Sequence, residues 1–437
     1  MSGRVAAAAI GGSLAVHWLV PDRAIGFAAS FAVHLLATAC WIWLVRELVT
    51  NRFRPGLAES LVIVATLRLV LLPLVPAFSD DVYRYLFEGR MVLAGISPYL
   101  HAPDSTAAAP LRDAAWELIN NPTIPAAYPP AVQLVNAAGA SIGAGLFGVK
   151  LGFALLDVLA FWMLWRVLPA VGVASQRALI YGACPLVVLE FAGEGHGDSL
   201  TIAGLVGAWL AATQRRPFLA GAALGVAVLG KWMPLVFLPF LCRAVGDVRR
   251  TLFGFGIVVV ACFVPFLWLG FSLDGTEQYV VRWRGNDSAF GVVFAVVDWV
   301  RTGGWFGDFE AQRVAKFPIA VLGVLVLAHA WRVRAPLERT LGWFFVFFVA
   351  FAPTVHPWYV TYLVPFLAVR ANPGLLAFTG TAFLAYHVLP EWHLERDWNE
   401  SGWIVALEYL PFYAAYCFSG TSLRRNAQIA ARSTSGR

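Results

Sequence analysis

Long apolar runs separated by short polar stretches set the pattern of this chain. A helix crossing hydrocarbon takes roughly 20 mostly apolar residues, and closed helical backbone is the form that lipid tolerates. The pattern predicts helices near 5–20, 25–46, 58–78, 146–166, 177–193, 198–213, 251–272, 317–331, 340–355, 357–369, 374–390 and 402–419. Two further segments stay open: 128–143, short and rich in Gly, Ala and Ser, and 217–243, interrupted by GKWMP. Either reads as a full span, a broken hairpin or a re-entrant element. The expected fold class is an all-α polytopic bundle of roughly 11 to 14 transmembrane or re-entrant helices.

Composition agrees. Hydrophobic residues make up 59% of 437 residues and charged residues 13%, with a mean hydropathy of +0.69, whereas soluble domains carry about 25% charged residues. The chain therefore reads as one integral-membrane domain over 1–437, with no soluble domain or linker. Met1–Val20 imitates a signal peptide but runs into bulky VHWLVPDR rather than a small-residue cleavage site, so a retained first helix is expected.

Lys and Arg in short loops orient the bundle. Basic stretches at 46–55, 166–177, 214–217, 242–250 and 331–339, and a basic cytoplasmic tail at 420–437, fall inside. Extracytoplasmic loops are then expected at 79–128, 272–316 and 391–401, with a short turn at 193–198. The net charge of +6 follows from this topology and requires no nucleic-acid partner. Cys40, Cys184, Cys242, Cys262 and Cys417 lie in or beside apolar helices without CxxC spacing, so they read as small core residues rather than metal ligands. The absence of a convincing internal repeat argues against an inverted-repeat transporter.

Candidate chemistry concentrates in the outside segments. FSDDVYRYLFEGRMVLAGISPYL (78–100) opens with Ser79 as a helix cap and Asp80 and Asp81 in the first turn, where backbone N–H groups favour anions. Apolar residues then recur at helical spacing, as expected for an amphipathic interfacial helix. In one reading Asp80, Arg84 and Glu88 are an exposed charge ladder. In the other, one aspartate is a general base whose pKa is raised by desolvation and by its neighbour. Tyr99 and Tyr128 mark the ends of the following loop. LEFAGEGHGDSL (189–200) sets Glu190, Glu194, His196 and Asp198 around a glycine-rich break, either as a solvated turn or as a polar cluster on the same cavity. Lys231 lies deep in apolar sequence, a functional position unless it snorkels to an interface. Arg282 and Arg284 suit phosphate oxygens or lipid headgroups. His356 and Tyr359 stand at the outer end of a helix, either in the site or in an aromatic belt.

The ordered set of EGRMVLAGISPYL, YPPAVQL, GHGDSL, GKWMPLVFLP and HPWYVTYLVP behind an acidic pair resembles the GT-C superfamily of integral-membrane glycosyltransferases over about 79–365. The likeness is greatest to bacterial polyprenyl-phosphate-mannose-dependent mannosyltransferases, and more distant to the first mannosyltransferase of GPI-anchor assembly. The resemblance implies inverting transfer of a hexose, mannose on this likeness, from a polyprenyl-phosphate-linked donor to a glycan or glycolipid acceptor on the extracytoplasmic side of the plasma membrane, without cofactor or metal. An aspartate of the first outside loop would be the base, here Asp81 or Asp80, although the pair is adjacent rather than spaced as DxD. Lys231, Arg282, Arg284 and His356 are the candidates for the departing phosphate. A lipid-linked sugar flippase is the alternative; such a protein would hold its charges near mid-membrane, whereas here they cluster outside.

Overall fold

The computed structural model describes residues 1–20, 22–303 and 310–415; the side chain of Arg282 and the basic tail 420–437 lie outside the described residues. Every regular element among them is helical, and strand-like pairing is limited there to one bridge between Gly285 and Thr354. Among the described residues, four helices are long and apolar enough to cross a membrane: Phe27–Val49, Leu146–Val171, Val248–Leu269 and Ala311–Arg332. At about 1.5 Å per residue, a helix of this length spans about 33 Å, enough for a hydrocarbon core of about 30 Å. Shorter apolar helices, Asp198–Thr213, Pro217–Gly230, Met233–Val245 and Pro357–Val369, accompany them. The chain is a multi-pass helical membrane protein.

Several expected spans are broken, and the breaks follow from the sequence. The run near 177–193 divides into Leu179–Gly182, Pro185–Val188 and a π-turn at Leu189–Gly193, because Pro185 cannot donate to the turn before it. Segment 217–243 is likewise two pieces. Lys231 adopts extended backbone after Pro217–Gly230, and the helix resumes at Met233. Segment 128–143 forms Pro130–Ser141, twelve residues, about 18 Å and too short to cross by itself.

That short helix packs against Asp81–Leu93. The approach needs Gly89: a Cβ there would lie 2.4 Å from the carbonyl oxygen of Asn136. Asp81–Leu93 is also less exposed than its amphipathic pattern predicts. Val82, Tyr85 and Leu86 bury against Val132, Val149 and Phe153, while Phe87 and Met91 bury against Ala108 and Ile119 from the following loop. Arg84 and Glu88 are buried as well, so the exposed charge ladder does not form. The loop that covers the helix converts a surface element into an internal one.

Further in, Arg68 Nε donates to Asp157 Oδ2 at 2.8 Å, with both side chains almost inaccessible. Arg68 also donates to the carbonyl of Gly182. This ion pair ties Leu57–Leu71 to Leu146–Val167 and to the segment ahead of the π-turn. The stretch 272–316, expected as loop, contains two helices, Asp274–Arg282 and Ala289–Thr302.

Candidate active site

The backbone entering Asp81–Leu93 is fixed by a distant carboxylate. Oε2 of Glu194 accepts from the amides of Ala77, Phe78 and Ser79 at 3.0, 2.9 and 3.1 Å. Hydrogen bonds to an ionised acceptor are the stronger kind, and three consecutive donors leave the chain little freedom immediately before the aspartates. Lys150 Nζ donates to the Leu74 carbonyl at 2.5 Å.

Asp80 and Asp81 share one donor. Asn120 Nδ2 lies 2.6 Å from Asp80 Oδ1 and 2.7 Å from Asp81 Oδ1. An amide nitrogen carries two protons, so each carboxylate receives one. Burial, and then the charge of Asp81, push the Asp80 carboxyl up to about 6 despite that hydrogen bond. Such a group exchanges its proton close to neutral pH. Asn120 is held in place by Arg84, which donates to the carbonyls of Asn120, Asn121 and Ile124. Arg84 also pairs with Glu88 at 2.7 Å, and Gln133 donates to the other oxygen of Glu88 at 2.7 Å. Arg84 and Glu88 are thus committed to holding the loop that carries Asn120.

Across from the pair lies a cation in an aromatic enclosure. Lys231 Nζ is 2.7 Å from Asp198 Oδ1 and 3.7 Å from the centroid of the Tyr359 ring. The same carboxylate oxygen accepts from the Tyr362 hydroxyl at 2.7 Å. Tyr359 and Tyr279 share a hydroxyl hydrogen bond of 2.6 Å, which brings the second long connection onto the site. Tyr85 and Tyr128 meet edge to face, and Tyr99 donates to the Tyr128 carbonyl at 2.8 Å. Each carboxylate thus meets a tyrosine: the Tyr85 hydroxyl lies 3.4 Å from Asp81 Oδ2, and the Tyr362 hydroxyl 2.7 Å from Asp198 Oδ1.

His196 stacks on Trp358 with ring centroids 3.8 Å apart, and its Nε2 is 3.1 Å from Ser79 Oγ. His356 also stacks on Trp358, at 4.2 Å. Arg284 is turned elsewhere: it pairs with Asp287 at 2.6 Å and lies over the Phe294 ring. The side chain of Arg282 falls outside the described residues. No group of three His, Cys, Asp or Glu side chains arranged for a metal ion occurs among the described residues.

The sequence reading did not single out Asn120, Gln133, Tyr362 or Tyr386. Tyr362 was within reach, three residues after Tyr359 and so on the same helical face. Asn120 was not, because its partners lie about forty positions earlier and no local periodicity links them.

Residues 4–247 match the model of the alpha-(1->6)-mannopyranosyltransferase family, N-terminal domain. The chain is 27% identical over 347 residues to alpha-(1->6)-mannopyranosyltransferase A of Mycobacterium tuberculosis, covering 71% of this chain and 66% of that protein. It is 27% identical over 217 residues to the protein of the same name in Corynebacterium glutamicum, 47% and 44% of the two chains. GPI mannosyltransferase 1 of Aspergillus fumigatus is 33% identical over 163 residues, 36% and 34%. The chain thus spans between a third and two thirds of these relatives' lengths. No solved structure matches it. The matched region contains Asp80, Asp81, Asn120, the Glu190–Asp198 segment and Lys231.

Proposed function

The chain belongs to the alpha-(1->6)-mannopyranosyltransferase family of GT-C-type membrane glycosyltransferases, and from that premise we propose that it transfers a mannosyl residue from a polyprenyl-phosphate-linked donor to a hydroxyl of a glycan or glycolipid acceptor. The reaction takes place on the extracytoplasmic side of the plasma membrane, at the end of the bundle that carries Asp80 and Asp81. The relatives' names support the sugar. The observation that carries the mechanism is the Asn120-bridged aspartate pair, taken with the Lys231–Asp198 pair set among tyrosines.

In this mechanism the acceptor oxygen attacks the anomeric carbon, its proton passes to Asp81, and the bond from that carbon to the phosphate oxygen breaks with inversion. Asp81 is favoured over Asp80 as the base because Asn120 serves both, whereas only the second oxygen of Asp81 is turned to the Tyr85 hydroxyl, at 3.4 Å, on the side where Tyr85 meets Tyr128. Lys231 stabilises the departing phosphate. An ammonium has three donors; one is directed at Asp198 and the rest can turn to the ligand. Pre-positioned charge of this kind acts where negative charge develops. A lipid-soluble donor also explains a polytopic scaffold, since the polyprenyl chain enters between helices.

The test is transfer of labelled mannose from polyprenyl-phosphate-mannose by purified protein in liposomes, for the wild type and for a variant carrying Asp80→Asn and Asp81→Asn. Transfer by the wild type and none by a folded double variant is expected. Undiminished turnover in the variant rejects the aspartate base, and donor moved across the bilayer intact rejects transfer altogether.

A further inference from the structure

Ser79 joins the aspartate pair to a buried acid and imidazole. Its Oγ accepts from the amide of Asp81 at 3.2 Å and lies 3.1 Å from His196 Nε2. On the far side of the ring, Nδ1 is 3.0 Å from Glu190 Oε2, an ion-pair contact rather than an aligned hydrogen bond. The Tyr386 hydroxyl lies 2.9 and 3.0 Å from the two oxygens of Glu190 and donates to that carboxylate. Glu190 and His196 have no accessible surface.

A serine, an imidazole and a carboxylate in this order suggest a nucleophile. The surroundings exclude that role. Acyl transfer needs free donors for an oxyanion, and the amides of Ala77, Phe78 and Ser79 are all directed at Glu194. The hydrogen-bond count at Ser79 gives a different result. A hydroxyl offers two lone pairs and one proton. The Asp81 amide takes one lone pair, and an imidazolium at Nε2 takes the other. The hydroxyl proton is then left for a further acceptor.

The charges around His196 favour the imidazolium. Glu190 faces it from the π-turn, Asp81 from Asp81–Leu93 and Asp198 from Asp198–Thr213. Of the basic groups nearby, Lys231 is already paired with Asp198, and His356 shares the Trp358 stack. In this turn between helices, burial draws the imidazole down, but the acids, Glu190 foremost, outweigh it and hold His196 above its ordinary value.

We propose that Glu190, His196 and Ser79 form a donor relay, in which protonated His196 occupies Ser79 so that the serine hydroxyl is presented to an anionic phosphate oxygen of the lipid-linked substrate. The proposal rests on the transferase reading for the identity of that substrate. Ser79 touches the ligand; His196 and Glu190 are positioning residues. When His196 is neutral, with its proton on Nδ1 toward Glu190, Nε2 becomes an acceptor and captures the serine proton. Ligand binding then weakens with rising pH.

The test uses farnesyl phosphate, titrated from pH 5 to 9 against the full chain in detergent, for the wild type, Ser79→Ala, Ser79→Thr and His196→Gln. Each is compared at equal pH, so ionisation of the ligand cancels. One hydrogen bond to a charged group corresponds to roughly tenfold or more in affinity. Relative to Ser79→Ala, the wild type is expected to bind at least about tenfold more tightly at low pH and to lose that advantage at high pH. Ser79→Thr should keep it, and His196→Gln, whose amide still donates, should bind independently of this titration. A wild-type advantage that does not change with pH, or a His196→Gln titration like that of wild type, overturns the relay. Should His196→Gln not fold, the Ser79 pair decides alone. Mannosyl transfer measured on the same preparations separates the two ideas: loss of the relay signature with transfer intact removes only the relay. Relay behaviour in the wild type, with transfer retained in the double aspartate variant, removes only the aspartate mechanism.

Discussion

Asn120 and Asp80 lie forty positions apart in the chain, yet the Asn120 side-chain amide sits 2.6 Å from the Asp80 carboxylate while also serving Asp81 at 2.7 Å. Hydrogen bonds to the charged form lower a carboxyl pKa, so removing the donor raises it. Asn120→Ala should therefore push Asp80 above its present value of about 6. Loss of a hydrogen bond to a charged group amounts to about one pH unit. The titration of the Asp80 carboxyl, followed by infrared difference against Asp80→Asn, should move up by that amount; an unmoved titration would show that Asn120 does not set it.

The raised Asp80 carboxyl also bears on stability. Its unfolded value is about 3.9 and its folded value about 6, so the folded state binds the extra proton between them. Stability from this group is present below about pH 4 and is lost as pH rises through about 6. Asp80→Asn should thus stabilise the protein by about 3 kcal/mol at pH 8 and by almost nothing at pH 4, while lowering transfer. Melting curves in detergent at the two pH values check this.

Lys231→Met keeps the unbranched apolar stem and removes the cation that pairs with Asp198 at 2.7 Å. KM for the polyprenyl-phosphate donor should rise and kcat should fall, since charge on the phosphate grows as the bond breaks. An unchanged kcat with raised KM would mean that Lys231 binds the ground state and transition state equally.

The Arg68–Asp157 pair gives a stability prediction remote from the site. Removing one partner of a buried pair costs about 3–5 kcal/mol, whereas replacing both with apolar groups is often neutral. Arg68→Met should lower the melting temperature sharply, and Arg68→Met with Asp157→Leu should recover most of it. Additive losses would indicate that the two residues act separately.

Gly89→Ala places a methyl 2.4 Å from the Asn136 carbonyl. Overpacking against backbone costs about 1–3 kcal/mol, and the helix Pro130–Ser141 must shift. Because Gln133 on that helix holds Glu88, and Glu88 holds Arg84, transfer should fall along with the melting temperature.

The membrane class, the helical architecture and the acidic pair were legible in the sequence because they depend on local signals: apolar length, a polar break, a helix start. So was the cluster from Glu190 to Asp198, where the glycines announce a turn. Burial of Arg84 and Glu88 was not legible, since it depends on a loop folding over a helix whose own pattern reads as interfacial. The break at Lys231 was signalled by GKWMP, but the break at Pro185 was not anticipated, 177–193 having read as one helix, and neither was the π-turn after it. Arg68 and Asp157 each look like a lone charge in an apolar run, and only the packing of their helices pairs them. Arg284 met the chemical requirement for a phosphate ligand, yet Asp287 three residues on captured it, a local pairing that composition alone does not reveal.

The fork made by Glu194 has a consequence for biogenesis. Its three amide partners precede it by 115 to 117 residues. At synthesis rates of about 5–20 residues per second, those N–H groups emerge roughly 6 to 23 s before their acceptor does. For that interval the aspartate-bearing segment must remain solvated at the membrane boundary, because lipid offers its donors nothing. The site can be assembled only after the π-turn has been inserted, so the ribosome completes the scaffold before the chemistry exists.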